Sequence, residues 1–246
     1  MAALCAVCTA SMAQVNVQVH YDFGRLMHKE TEDGRANVTT TVELFKADKL
    51  GNTFFFVDFD YFSNGVAGAY WEVSREFTFA KPAASNTFDA HIEYDGGLSI
   101  SKDGGFSSRF QPALLLGPTW NWHNADFSTT VSVQALYKQY FRQTLVTGKT
   151  PAVSTFQLTG VWSTTFAKGR LTFAGFVDLW YGFIPEWNDA GQKKGLVFLT
   201  EPQLWYNIFP SFAVGTEWEI SKNFIYTSNG KNPVLVNPTG ALKYKF

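Results

Sequence analysis

The chain has 246 residues, 17% aromatic (24 Phe, 10 Tyr, 8 Trp) and 17% charged, with a formal net charge of −1. This near-neutral balance, without clusters of Lys and Arg, argues against a nucleic-acid partner, and no run of about 18 apolar residues is available for a spanning helix. A mean hydropathy of −0.09 with so many rings suits an all-β protein, either a soluble sandwich or a membrane barrel.

In chain order, residues 1–13 (MAALCAVCTASMA) are small and apolar and end in Ser11-Met12-Ala13. That is the small-x-small pattern of signal-peptide cleavage, expected here before Gln14. Residues 1–13 are therefore read as a signal-peptide remnant and residues 14–246 as a single outer-membrane barrel domain. Both cysteines, Cys5 and Cys8, lie in the remnant, so no disulfide is expected after export.

From Val15 onward the pattern has period 2. Val15, Val17, Val19, Tyr21 and Phe23 alternate with Asn16, Gln18, His20 and Asp22, and Phe88, Ala90, Ile92 and Tyr94 alternate with Asp89, His91, Glu93 and Asp95. A helix would scatter these sets, whereas a strand sends each to one face. The same reading predicts about twelve strands, near 15–24, 36–46, 53–63, 69–79, 87–95, 110–122, 127–141, 153–166, 171–183, 195–208, 212–221 and 235–246. Most exceed the roughly 5 or 6 residues of soluble strands and match the roughly 9 to 11 that cross a bilayer at a tilt.

Every second connection is tight: 47–52, 82–86, 123–126, 167–170 and 209–211. Those between are mostly longer and richer in Gly, Asn and charge, such as GRLMHKETEDGR and IPEWNDAGQKK. Sorted loops of this kind belong to bacterial outer-membrane barrels, with short periplasmic turns and long outer loops. The expected fold is an antiparallel up-and-down β-barrel in the outer membrane of a Gram-negative cell, in contact with its lipid. The chain ends in GALKYKF, with Leu242, Tyr244 and Phe246 on one face, an ending of the type read by the barrel-assembly machinery.

In such a barrel the outward face must be apolar and the inward face can be polar. The stretch NTFFFVDFDYFS then sends Phe55, Val57, Phe59 and Tyr61 to lipid and Phe54, Phe56, Asp58 and Asp60 to the lumen. Parity also points Asp22, Glu43, Glu72, Glu76, Glu93, Asp95, Asp178, Glu201, Glu217 and Glu219 inward, with Trp180 and Trp205. Facing bases are fewer: Lys138, Lys243, Lys245, His20 and His91. Arg75 falls on the apolar parity, which requires a bulge or an interfacial position. Carboxylates accept hydrogen bonds from hydroxyl and amino groups, and rings stack on planar solutes, so a neutral ring solute with several hydroxyls suits this lumen and a small cation nearly as well. The alternative is a non-conducting structural or ligand-binding barrel, whose carboxylates pair with its few bases and fill the interior.

FFFVDFDYFSNG, YWEVSREFTF, LLGPTWNWHN and the closing GALKYKF together resemble the nucleoside-specific channel (Tsx-like) family of outer-membrane proteins. The resemblance implies a monomeric twelve-stranded barrel passing nucleosides and deoxynucleosides by diffusion, with Glu72 and Phe77 where that family has an acid and an aromatic. Ser74 and Glu76 depart from its pattern of a further acid and a base, which makes the lumen more acidic.

No catalytic residue, metal or cofactor is expected. His20 and His91 have inward parity, His28 and His123 fall in connections, and no outward Ser accompanies any of them as outer-membrane lipase chemistry requires. His91, Glu93 and Asp95 share a face, but side chains two apart on a strand lie about 7 Å from one another, too far to form a metal site unaided.

Overall fold

The computed structural model describes residues 13–29, 35–101, 103–105, 107–145, 148–183, 193–225 and 233–246. The proposed signal segment therefore lies, but for Ala13, outside the described residues. Twelve strands form the wall: β1 (Gln14–Asp22), β2 (Val38–Asp48), β3 (Gly51–Phe62), β4 (Gly65–Ala83), β5 (Asn86–Ile100), β6 (Ala113–His123), β7 (Thr129–Tyr140), β8 (Val153–Phe166), β9 (Leu171–Phe183), β10, β11 (Phe212–Lys222) and β12 (Leu235–Lys245). β10 is one wall strand in two pieces, Lys194–Thr200 and Gln203–Phe209, and both pieces pair with β9 on one side and β11 on the other. The break falls at Glu201-Pro202, because proline has no N–H to give the ladder.

Each strand is antiparallel to its sequence neighbours, and β1 closes the cylinder on β12 with Val17 opposite Tyr244 and His20 opposite Ala241. Closure leaves no strand edge, which a hydrocarbon environment demands. The fold is a closed 12-strand antiparallel β-barrel, as the alternation predicts. Strand ends differ from the sequence reading chiefly on β4 and β5, which run to 19 and 15 residues.

The tight connections are where the sequence places them. At Ala167-Lys168-Gly169 all three residues have positive φ (51°, 58° and 86°). Between β6 and β7, Asn124 Oδ1 accepts from the Thr129 N–H at 2.9 Å. In the same turn the Ser128 hydroxyl and N–H hold the Asp126 carboxyl below its ordinary pKa. At the other end the longer connections carry one helical turn, α1 (Gly24–Met27), and short strands at Ser107–Arg109, Gln143–Leu145 and Gly148–Thr150.

Burial is inside out. On β1, Gln18, His20 and Asp22 are 1%, 3% and 8% exposed, whereas Val19 and Tyr21 between them are 43% and 44% exposed. On β5, Asp89, His91 and Asp95 are buried while Phe88, Ile92 and Tyr94 are exposed. A water-soluble protein has the opposite arrangement, so the apolar face is the lipid face. Arg75 takes the interfacial option: on the outer face, near the tight β2–β3 turn, it donates to both Asp48 oxygens at 2.8 Å and lies 5.1 Å from the Phe77 ring centroid.

The interior is not uniformly polar. Trp180, Val197 and Leu199 form one apolar cluster with Tyr140 and Phe176 against it, and Ala113, Leu115 and Leu136 form another. The β6–β10 wall is thus partly apolar inside, opposite an acidic β1–β5 wall.

Candidate functional site

The β2–β4 wall sets acids and rings side by side on its lumen face. Asp58 and Asp60 are opposite Thr41 and Thr39 in register, and each takes a hydroxyl hydrogen bond from its partner, at 2.5 and 2.6 Å. No ammonium or guanidinium lies within 4 Å of either among the described residues. Below and beside them runs a ladder of rings on the same face: Phe54 to Phe56 at 6.0 Å, Phe56 to Tyr70 at 5.9 Å and Tyr70 to Phe110 at 6.0 Å between centroids. Tyr70 donates to Glu72 at 2.7 Å.

Carboxylates from the facing wall share this field. Glu201 interacts electrostatically with Glu217, Asp58 and Glu72, and Glu217 with Asp58 and Glu43. Glu201 keeps the inward parity of Val197 and Leu199 into the β10 break, where its backbone oxygen lies so near Gly175 that a Cβ there would come within 2.5 Å. Acids from β3, β4, β10 and β11 therefore ring the middle of the lumen, with Glu43 of β2 on its tight-turn side.

Two networks flank this ring. On β4 and β5, Glu76 accepts from Asn52 at 2.7 Å and Asn121 at 2.9 Å, and His91 is held between Glu76 and Glu93 at 3.2 Å on each side. With a carboxylate at both ring nitrogens, only the doubly protonated imidazolium donates on both sides. Glu72, Glu93 and Asp95 bring one oxygen each within 4.8 Å of one another. The cation there is Lys138, 3.3 Å from Asp95 and 2.8 Å from Gln157, so the trio is read as a lysine site.

At the outer mouth, Arg35 donates to Asp22 at 2.7 Å and, through two nitrogens, to Glu219 at 3.1 and 3.3 Å. Asn237 adds a bond to Glu219 at 3.0 Å. Asp22 also accepts from the Gly24 N–H at 2.6 Å, starting α1, and Gly24 sits where a Cβ would collide with Asn237. At the opposite, tight-turn end a cavity of about 290 Å³ opens between Glu43, Phe45, Phe54, Trp205, Lys243 and Lys245.

Of the residues chosen from sequence, Phe54, Phe56, Asp58, Asp60, Glu72, Glu43, Glu201 and Glu93 are on or beside the acidic, aromatic wall. Asp22 is committed to Arg35. Asp178 accepts from Thr159 at 2.5 Å on the far wall. Trp180 and Trp205 are 8% and 1% exposed, and each has a lysine over its ring, Lys138 at 5.1 Å and Lys243 at 3.9 Å. They brace the wall instead of offering open faces. The residues picked out from sequence leave out Tyr70, Asp89 and Arg35. The first two follow from the same alternation, whereas Arg35 reaches the lumen from a connection that has no periodicity to read.

A family model described as Domain of unknown function (DUF5020) matches residues 13–246. The chain belongs to that family. No curated protein sequence matches it. Among solved structures, the DUF5020 barrel is similar to the NanC porin, with TM-score 0.59 and 13% identity over 94% of this chain and 100% of that one. It is also similar to the KdgM porin, with TM-score 0.50 and 11% identity over 95% and 99%. At such identities the likeness is one of fold. The protein has the closed fold of a bacterial outer-membrane β-barrel, in agreement with its lipid-facing apolar belt.

Proposed function

We propose that this DUF5020 barrel is a channel for passive diffusion of small polar solutes that carry hydrogen-bond donors and a ring, with nucleosides the class its lumen suits best. The observation that carries this reading is the pairing of Asp58 and Asp60, which have no ammonium or guanidinium within 4 Å among the described residues and of which only Asp60 feels Arg35 at longer range, with the ring ladder Phe54–Phe56–Tyr70–Phe110. A solute exchanges water for carboxylate acceptors and ring stacking at several weak stations, since tight binding would stop conduction. The lumen lies within one chain, so a monomer suffices, and Phe246, whose N–H donates to Val15 at 3.0 Å, serves as the terminal assembly signal.

Conductance across a planar bilayer tests the proposal. Expected are a steady current that prefers cations and block by adenosine or thymidine at roughly sub-millimolar to millimolar levels, the range of weak, leaving-compatible sites. A folded barrel that carries no current would sink the channel reading. A second reading, a plugged structural barrel, is favoured by the apolar clusters around Trp180 and Leu115 that narrow one side, and it predicts that silent outcome.

A further inference from the structure

The vestibule at the tight-turn end differs in charge from everything above it. Its lining contains one acid, Glu43, and two bases, Lys243 and Lys245, while the mid-lumen ring is acidic. Neither lysine has a carboxylate within 4 Å among the described residues. Lys243 is held over the Trp205 ring at 3.9 Å, and both Glu43 and Glu217 act on it electrostatically. Glu43 uses one oxygen to accept from Asn16 at 2.7 Å. Phe45 and Phe54, opposite one another in register, supply an apolar side. Two ammonium groups without a carboxylate within 4 Å among the described residues, one of them over the Trp205 ring, a carboxylate with acceptor capacity remaining and a pair of rings thus surround about 290 Å³, room for one small ring-bearing molecule.

We propose that this vestibule is a binding site for a ring-bearing zwitterion such as an aromatic α-amino acid, its carboxylate on Lys243 and Lys245, its ammonium on Glu43 and its ring against Phe45 and Phe54. A simple anion lacks the contact to Glu43 and is repelled by the acidic ring above. A simple cation leaves the lysines without an acceptor. The vestibule therefore selects for both charges on one molecule. This goes beyond the channel reading and does not require conduction.

The test is equilibrium binding by calorimetry to the barrel refolded in detergent, with three ring-matched probes: L-phenylalanine, 3-phenylpropanoate (no ammonium) and phenethylamine (no carboxylate). Phenylalanine is expected to bind most tightly, each deletion weakening binding about five- to tenfold, as for one partly solvated charge-assisted contact. Lys243→Gln with Lys245→Gln should bring phenylalanine down to the level of phenethylamine and leave phenethylamine unchanged. Equal affinity for phenylalanine and either single-charge probe would overturn the proposal, as would absence of saturable phenylalanine binding. If the double variant does not fold, shown by loss of heat-modifiable migration, the probe series on the unmodified protein still decides. A silent bilayer with intact phenylalanine binding would count against the channel alone.

Discussion

Leu158→Arg asks whether the exposed apolar face meets lipid. Leu158 is the sixth of fourteen residues of β8, points outward and is 57% exposed, with Ala135 and Leu179 beside it in register. At about 3.3 Å per residue and a tilt near 40°, it lies within about 5 Å of the midpoint of its strand. An arginine at that depth costs about 2–4 kcal/mol in a bilayer. The same substitution on a water-facing surface changes stability by about 0.5 kcal/mol or less. Phe166, eight residues further along, is about 20 Å away along the barrel axis, outside an apolar band about 25 Å tall, so Phe166→Arg should cost only about 0–1 kcal/mol. Reversible guanidinium unfolding in phospholipid vesicles, followed by tryptophan fluorescence, measures both. A Leu158→Arg effect under about 0.5 kcal/mol, or one no larger than that of Phe166→Arg, would refute the lipid-facing assignment.

Three further outcomes follow from the lumen. Arg35→Met strands Asp22 and Glu219, whose side chains are 9% and 16% exposed, and should destabilise the barrel by about 2–4 kcal/mol, tempered by the part-exposed mouth; adding Glu219→Gln should recover part of this, and strictly additive effects in the same unfolding assay would show that the two are not coupled. Asp58→Asn with Asp60→Asn keeps the hydroxyl bonds from Thr41 and Thr39, so the barrel should still fold while cation preference, read as the reversal potential in a salt gradient, falls; failure to assemble would make these carboxylates structural. Gly175→Val places a side chain where a Cβ meets the Glu201 oxygen at 2.5 Å and the Trp162 ring at 2.9 Å, and should cost about 2 kcal/mol or more; a wild-type unfolding midpoint would mean that the β10 break tolerates a wider approach.

The fold was legible because a barrel wall is written with a single rule. Alternation fixes which residues face lipid, and a one-residue slip would reverse every side chain, so Val19 and His20 or Phe55 and Phe56 leave little freedom in register. The site was less legible, because parity assigns a face but not a neighbour. It sends Trp180 and Trp205 inward without indicating that Lys138 and Lys243 cover them. It places Asp22 in the lumen without its partner Arg35, which arrives from a connection. Glu201 was assigned by parity along 195–208, yet the strand is interrupted there. Proline at 202 and glycine at 175, on different strands, together produce that break, a pairing no single segment displays.

The charges along the axis bear on how the proposed channel would release what it binds. At the outer mouth Arg35 offsets one of the two charges of Asp22 and Glu219, so an arriving solute already meets a net negative charge. In the middle, carboxylates from four strands surround the path, and only some are satisfied by fixed partners. At the far end two lysines outnumber Glu43. A donor-rich solute is thus drawn through the acidic mouth to the acidic ring, then meets a region where cationic groups no longer gain. For a purely cationic solute the ring is a well with a barrier beyond it, and for a purely anionic one the ring itself is the barrier. A neutral solute traverses both, and a zwitterion can exchange one contact for the next as it moves, which keeps each station weak enough to leave.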